Sequence, residues 1–231
     1  MKLFTKTIAA AALAGAAFTA TPASAQVSGN IATVDAPRVL IATTAFRNAY
    51  QQIGTTYQAQ TTQIQQKSQQ RQTLLQQLDT NGDGQFDQAE QQAAQSAPQA
   101  AQIRQLETEL EQLGSQIEIA RVYAIEQLLQ QYPTVVQQVV DQNSIQLLLT
   151  PDAVVYAPAA ATINQKVVDA LNAQVPSVQV TPPANYQPTR NAVGIYQEIQ
   201  GVLGAAQAAQ AQQQQQQQGQ TQPAQQQPSG R

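Results

Sequence analysis

The sequence predicts a mostly helical α+β protein, with a small β-rich body, a long antiparallel coiled-coil helical hairpin and a disordered Gln-rich C-terminal tail. Three observations lead to this fold class. Apolar residues recur at coiled-coil spacing over two long segments. Short β-prone runs lie on either side of these segments. The last part of the chain holds mostly Ala, Gln, Pro and Gly, too little apolar surface to offset the entropy cost of ordering.

The composition excludes several classes of function. The 231 residues include no His, no Cys and no Trp, so the chain has no His-activated nucleophile, no zinc site of the usual N/S type and no haem or iron–sulfur ligation by these residues. The formal charge of −3 offers no overall attraction to a phosphate backbone. A carboxylate hydrolase is disfavoured because no acidic pair lies on a pocket-forming element. We therefore predict neither an enzyme nor a nucleic-acid-binding protein.

Residues 1–25 are predicted to be an export signal. Lys2 and Lys6 precede an apolar run, residues 8–18, that is too short to span a bilayer and is followed by Ala23-Ser24-Ala25. The mature chain would begin at Gln26. No later segment reaches the roughly 18 uncharged apolar residues of a membrane-spanning helix, so we expect a soluble protein outside the cytoplasm with no integral membrane segment.

The mature chain is expected to open with a strand at Ile31–Asp35, followed at once by a helix that has Pro37 in its first turn. Two helical segments follow within about residues 43–131, and in both the apolar residues alternate steps of four and three, the 3.5-residue coiled-coil period. Arms of about 30 residues would reach roughly 45 to 50 Å. The predicted seam positions are Phe46, Tyr50, Ile53, Tyr57, Ile64, Leu74 and Leu78 in the first arm, and Ile103, Leu106, Leu110, Leu113, Ile117, Ala120, Ala124 and Leu128 in the second.

Beyond the hairpin, Pro133 either ends the second helix or begins a short continuation. An apolar strand over 144–149 and a second candidate strand over 153–156 follow, and the two are candidates for a hairpin pair. Thr162 is the expected cap of a helix whose buried face is listed here: Ile163, Val167, Ala170 and Leu171. Residues 175–204 are predicted to be a Pro-rich linker with a short helix, and residues 205–231 a disordered tail.

The order of these segments resembles that of the Skp family of periplasmic chaperones, also called OmpH-like proteins. The resemblance covers about residues 30–173. Its most specific parts are the opening strand at Ile31–Asp35 and the block from Ser144 to Asn172. In that block an apolar strand, a turn, the run Ala-Val-Val-Tyr and a terminal helix follow in the family's order, which makes 26–174 the expected family domain.

This resemblance implies a homotrimer in the periplasm, free or associated with the outer membrane. A small trimerisation body would combine the strands of three chains, and three helical tentacles would enclose unfolded outer-membrane proteins. A few short strands and one helix bury too little surface in one copy, which also favours assembly. The family typically carries Lys and Arg on the tentacles. This chain departs from that pattern, because its hairpin has few basic residues: Lys67, Arg71, Arg104 and Arg121.

The segment between the two long helices, residues 79–90, matches the pattern D-x-[DN]-x-[DN]-G-x5-E at every specified position. It resembles an EF-hand calcium loop, with Gly84 at the sharp turn. The cation would be held by oxygen atoms: the side chains of Asp79, Asn81 and Asp83, the backbone carbonyl of Gln85, Asp87 directly or through water, and both carboxylate oxygens of Glu90. We predict a structural Ca²⁺ ion that orders the tip of the hairpin.

The same residues have an alternative interpretation as a solvated turn. In that case Gly82 and Gly84 would end one helix and Asp87 would cap the next. EF-hands usually occur in pairs, and the chain contains no second loop of this pattern. The expected calcium affinity is therefore modest, in the range of about 10⁻⁴ to 10⁻³ M.

Taken together, the sequence predicts a periplasmic holdase chaperone for unfolded outer-membrane proteins. No phosphate-binding Gly motif occurs, so the activity should not require ATP. The alternative is a calcium-dependent periplasmic scaffold or adaptor without chaperone activity, whose hairpin would bind a folded partner. Suppression of client aggregation separates the two hypotheses, because a scaffold would not show it.

Overall fold

The computed structural model describes residues 30–85 and 87–220, with side chains described as far as residue 214. The predicted export signal and the end of the predicted tail, residues 221–231, lie outside the described residues.

The predicted opening of a strand and a helix is confirmed. Strand β1 (Asn30–Thr33) leads into helix α1 (Ala36–Ala42). Asp35 caps this helix by accepting a hydrogen bond from the backbone N–H of Arg38 at 3.0 Å, and Pro37 lies in the first turn. β1 pairs in parallel with strand β2 (Ile145–Leu149) in a two-stranded sheet.

The hairpin has two unequal arms. The first consists of α2 (Thr44–Thr56) and α3 (Gln58–Leu78), which meet at a distorted turn at Tyr57, where φ is −106° and ψ 22° while the helical hydrogen bonds from Tyr57 to Ile53 and from Thr61 to Tyr57 are kept. The second consists of α4 (Gln88–Ser96) and α5 (Pro98–Gln142). Ala97 separates α4 from α5 with an extended backbone, because the residue before a proline is disfavoured in the helical region. The 45 residues of α5 span about 68 Å, so one helix joins the hairpin to the body.

Every residue predicted for the seam of the hairpin is buried or half-buried, which confirms the 3.5-residue period. The burial is uneven along the arms. The seam is buried near the body and again near the tip, at Leu78 and Ile103. Between these regions the seam is half-buried, and two ion pairs join the arms there, Lys67 with Glu109 and Arg71 with Glu107.

Pro133 does not end the second arm, since α5 passes through it and continues to Gln142. The continuation buries Val135 and Val139 in the core of the body. The hypothesis of a continuation beyond Pro133 is therefore correct. The turn into β2 uses Ser144 at a φ of 51°, a left-handed conformation that side chains rarely adopt.

The predicted second strand at residues 153–156 is wrong. Residues Pro151–Ala153 form a short 3₁₀ turn, and the side chains of Val155 and Tyr156 are 107% and 85% exposed. The described residues pair β2 with β1 and with no following strand. β-propensity reflects how well a residue packs on a half-buried sheet, and in the single chain this segment has no sheet to pack on.

Helix α6 (Asn164–Gln174) has the predicted buried face. Ile163, Val167 and Leu171 are each 4% exposed or less, and Ala170 is half-buried. The helix is preceded by Ile163 at the N-cap position, one residue after the predicted cap Thr162. The hydroxyl of Thr162 accepts a hydrogen bond from the N–H of Asn164 at 3.4 Å.

The C-terminal part of the chain differs most from the sequence prediction. Residues 175–189 pack along α5 instead of forming a free linker, and α7 (Arg190–Gln220) is a long helix that packs on α1 and α5. Residues 205–220, predicted to be disordered, are therefore helical. Ala and Gln have high helix propensity, and extending a helix from an anchored first turn avoids the cost of nucleation.

One core joins the body to the base of the hairpin. It is formed by α1, α5, α6, α7 and the β1–β2 sheet, and its fully buried side chains include Leu40, Ile125, Leu128, Leu171 and Ile199. Of the helices in the described ranges, none is both long and apolar enough to span a lipid bilayer.

Candidate functional site

The predicted calcium loop forms the tip of the hairpin, between the end of α3 at Leu78 and the start of α4 at Gln88. The carboxylate of Asp79 accepts hydrogen bonds from the N–H groups of Gly82 at 2.7 Å and Gly84 at 2.9 Å. Both glycines have positive φ, 72° and 75°, which a residue with a Cβ would adopt only with strain. The first loop position therefore organises the turn that follows it.

The side chains of the next two predicted calcium ligands also form hydrogen bonds with the backbone of the loop. Asn81 accepts a hydrogen bond from the N–H of Asp83 at 2.9 Å, and Asp83 accepts one from the N–H of Gln85 at 2.7 Å. Both side chains are exposed. A carboxylate oxygen carries two lone pairs, so an oxygen that accepts one N–H keeps acceptor capacity for a second partner.

Glu90, at the last loop position, is 3% exposed and connects the two ends of the loop. Its carboxylate accepts hydrogen bonds from the backbone N–H groups of Thr80 at 2.8 Å, Asn81 at 3.3 Å and Asp87 at 3.2 Å. Asp87 in turn accepts the N–H of Glu90 at 2.8 Å, which completes a capping box at the start of α4. The proposed role of Asp87 as a helix cap is thus confirmed, and Glu90 acts as a latch that closes the tip.

The environment of Glu90 favours its ionised form. Burial alone raises the pKa of this carboxyl, but the backbone hydrogen bonds from Asn81, Asp87 and Thr80 outweigh burial, so the pKa lies below its ordinary value. A depressed carboxyl pKa stabilises the fold above the unfolded-state pKa, and that stabilisation is lost as the pH falls through the folded-state value. We therefore expect the hydrogen bonds of Glu90 to stabilise the tip at neutral pH and to contribute less in acid.

The donor chemistry of the loop fits Ca²⁺, which prefers several oxygen ligands, carboxylates among them. The positions of these oxygen atoms in the loop fit a calcium ion less closely. Within residues 30–85 and 87–220, no three or more acidic side chains are grouped closely enough to hold a metal ion together. The structure joins Asp79 and Glu90 through the loop backbone between them, so cation binding would require the carboxylates to draw together.

A groove lies between the two arms in the middle of the hairpin. It encloses about 570 Å³ and combines two leucines with an ion pair, Lys67 with Glu109; its lining residues are Lys67, Gln70, Thr73, Leu74, Gln102, Gln105, Leu106 and Glu109. The hydrogen bond from Lys67 lowers the pKa of Glu109. The groove is open to solvent and combines apolar, amide and charged side chains.

Apolar side chains are also exposed on the body of the protein. Ile31 on β1 is 45% exposed and Leu147 on β2 is 37% exposed, and Val155 and Tyr156 project almost entirely into solvent. Exposed apolar groups and unpaired strand edges are both typical of surfaces that bind another chain. We call these four residues the body patch.

The chain is similar in sequence to a known protein family and in structure to a solved protein. The model of the family described as Outer membrane protein (OmpH-like) matches residues 30–171. Among solved structures, a candidate outer membrane chaperone (OmpH-like) from Caulobacter crescentus CB15 is 20% identical, with a TM-score of 0.44, and the alignment covers 69% of this chain and 94% of that chain. No curated protein matches the sequence.

Proposed function

This chain belongs to the OmpH-like family of outer membrane proteins, and from that premise we propose that it is an ATP-independent holdase of the periplasm that binds unfolded outer-membrane proteins. The observation that carries this proposal is the extent of the family match. Residues 30–171 include both strands of the body, both arms of the hairpin and most of α6. The match therefore supports a chaperone role for the body and the hairpin together and not for an isolated coiled coil.

The hairpin has properties that suit weak binding of unfolded chains. Its middle part buries the seam only partly, and Leu74 and Leu106 line the open groove between the arms. The surrounding surface is rich in Gln, which donates and accepts hydrogen bonds without carrying charge. Weak contacts spread over a long surface hold many sequences, whereas a hot-spot interface selects one.

We further propose that the active form is a homotrimer assembled through the body patch. A sheet of only two strands is marginal by itself. Val155 and Tyr156 would lose their exposure on packing against a neighbouring copy, and they follow β2 within the family-matched region. This assembly would place three hairpins around one body.

The holdase proposal is tested by the aggregation of an unfolded outer-membrane β-barrel protein diluted from urea. The mature protein should suppress light scattering at near-stoichiometric ratios, equally with and without ATP. A scaffold protein of the alternative class would leave aggregation unchanged, and that result would contradict the proposal. ATP-dependent release of the client would contradict the proposal that the activity does not require ATP.

For the tip loop, we propose Ca²⁺ as a structural ligand of modest affinity. The ion would be bound by side-chain oxygen atoms of Asp79, Asn81, Asp83, Asp87 and Glu90. Gln85 would contribute its backbone carbonyl. Three features support the proposal: the complete sequence pattern, the two glycines at positive φ, and a last-position carboxylate folded back onto the first loop residues. Bound calcium would lower the repulsion among the carboxylates and order the tip.

The calcium test uses Asp83→Asn, because Asn keeps an oxygen acceptor for the N–H of Gln85 but removes the charge. The unaltered protein should release or absorb heat on titration with millimolar calcium and gain about 1.4 kcal/mol at ten times Kd. Asp83→Asn should melt like the unaltered protein without metal and should need a higher calcium concentration for the same gain, because the pattern still allows Asn as a ligand but one ligand charge is removed. Glu90→Gln is a weaker test, because it also loosens the latch in metal-free protein. No heat with several millimolar calcium would show that the loop is only a polar turn.

A further inference from the structure

Residues 175–189 cross the place where the hairpin leaves the body, and we call this segment the strap. It lies beyond residues 30–171, the part that matches the family model. The strap is anchored at both ends, since α6 precedes it with Leu171 fully buried and α7 follows it with Ala192 fully buried. Its course over the surface is therefore fixed by the core on either side.

The strap inserts an apolar side chain between the two arms. Val180 is 3% exposed and joins a cluster with two residues of α2 and two of α5: Ala49, Ile53, Ala120 and Ala124. Small alanine side chains leave space for a third chain segment at this contact. Val178, Tyr57 and Ile117 pack at the edge of the same cluster.

Polar contacts fix the register of the strap on α5. The side-chain amide of Gln127 donates to the carbonyl of Gln179 at 2.9 Å and accepts the N–H of the same residue at 2.9 Å. Tyr186 donates a hydrogen bond to the carboxylate of Glu126, and its ring packs edge-on against Tyr123 with centroids 4.8 Å apart. The side chain of Gln127 thus pairs with both the N–H and the carbonyl of Gln179. The strap cannot slide along α5 without breaking these two hydrogen bonds.

The Val180 cluster lies beside the distorted turn in the first arm, with Tyr57 at its edge. At Tyr57 the chain passes from α2 to α3, whereas α5 is continuous through the same level. Beyond this level the seam is only half-buried over most of its length. A bend of the outer hairpin relative to the body would therefore use Tyr57 on one arm and would pull Tyr57 and Ile117 away from the edge of the cluster that holds Val180.

We propose that the strap is a brace that fixes the direction of the outer hairpin relative to the body. With the strap seated, α2, α5 and residues 178–180 pack as one unit. With the strap released, the outer hairpin bends at Tyr57 and samples a wider range of directions. The geometry of the hairpin, and with it the space available around the body, is thus set by a segment outside the family-matched region.

The test measures the hairpin direction without a client, so it is independent of the holdase proposal. The chain contains no Cys, and spin labels at Gln66→Cys on α3 and Ala173→Cys on α6, both exposed sites, report the distance between hairpin and body. Labelled chains are diluted with excess unlabelled chains so that only distances within one chain contribute. We expect the double variant Gln127→Ala, Tyr186→Phe to at least double the width of the distance distribution.

Gln130→Ala is the matched control, because Gln130 is an exposed residue on α5 close to Gln127. It should leave the distribution unchanged. Val180→Asp places a charge in the apolar cluster and should broaden the distance distribution further. Circular dichroism measures the helix content of this variant, as a check that it is folded. An unchanged width in the Gln127→Ala, Tyr186→Phe protein, or equal broadening by Gln130→Ala, would overturn the brace.

Discussion

Replacing Val155 and Tyr156 together by Asp is expected to convert the assembled protein into a monomer. In the single chain these side chains are 107% and 85% exposed, so the substitution removes no contact within the chain. In the proposed trimer it introduces two unpaired charges into each copy of an apolar interface, and burying such charges costs several kcal/mol each. Light scattering at micromolar concentration should show a mass about three times smaller for the variant than for the unaltered mature protein.

Gln92→Asp with Ala93→Asp is the control for this experiment, since it places the same two charges on exposed positions of α4 near the hairpin tip. The control should remain a trimer. A monomeric unaltered protein would refute the trimer itself. A trimeric Val155→Asp, Tyr156→Asp protein would show that assembly uses a different surface.

The hairpin could be predicted from the sequence because its determinants are local. A residue of the seam and its neighbours three and four positions away lie on the same side of one helix, so the period alone identifies the buried face. Ile64, Leu74 and Leu106 occupy the expected side even where the seam is only half-buried. The break at Ala97 follows from the same local logic, since Pro98 disfavours a helical conformation in the residue before it.

The segment at residues 153–156 could not be predicted in the same way. Its Val and Tyr residues have high β-propensity, but a strand also needs a neighbour to pair with. Among residues 30–85 and 87–220 this segment pairs with no strand, and β2 has β1 as its partner. In the proposed trimer another copy would supply it. A local pattern cannot indicate whether the partner of a strand lies in the same chain or in a different one.

At the tip, the sequence identified the loop residues but missed part of what they do. The pattern assigned Glu90 to a cation, whereas in the structure its carboxylate accepts the N–H groups of Thr80, Asn81 and Asp87. A signal for this role was present, because Asp87 followed three residues later by Glu90 is the spacing of a capping box. The latch is compatible with both the turn and the calcium hypotheses, and Asp83→Asn distinguishes them.

The short helix predicted within residues 175–204 is confirmed by α7, but the packing of residues 175–189 and the continuation of α7 to Gln220 were missed, because the composition dominates the few apolar residues. Gln, Pro and Ala indicate a linker and a disordered tail, yet the buried side chains of α7 include Ala192, Tyr196 and Ile199, at spacings of four and three. That spacing places them on one side of a helix. Three well-placed apolar residues are enough to join α7 to a core that α1 and α5 already provide.

Ile199→Ala is therefore expected to destabilise the protein by about 2 to 5 kcal/mol, the usual effect of truncating a fully buried aliphatic side chain. Ile199 is 0% exposed and lies 28 positions after residue 171, where the family match ends. Leu75→Ala, at a position 37% exposed on α3, is the control and should change the free energy of unfolding far less. Urea unfolding is to be followed at one fixed protein concentration, because assembly shifts apparent stability. Equal, small effects of the two substitutions would mean that α7 does not belong to the core and that residues 30–171 fold without it.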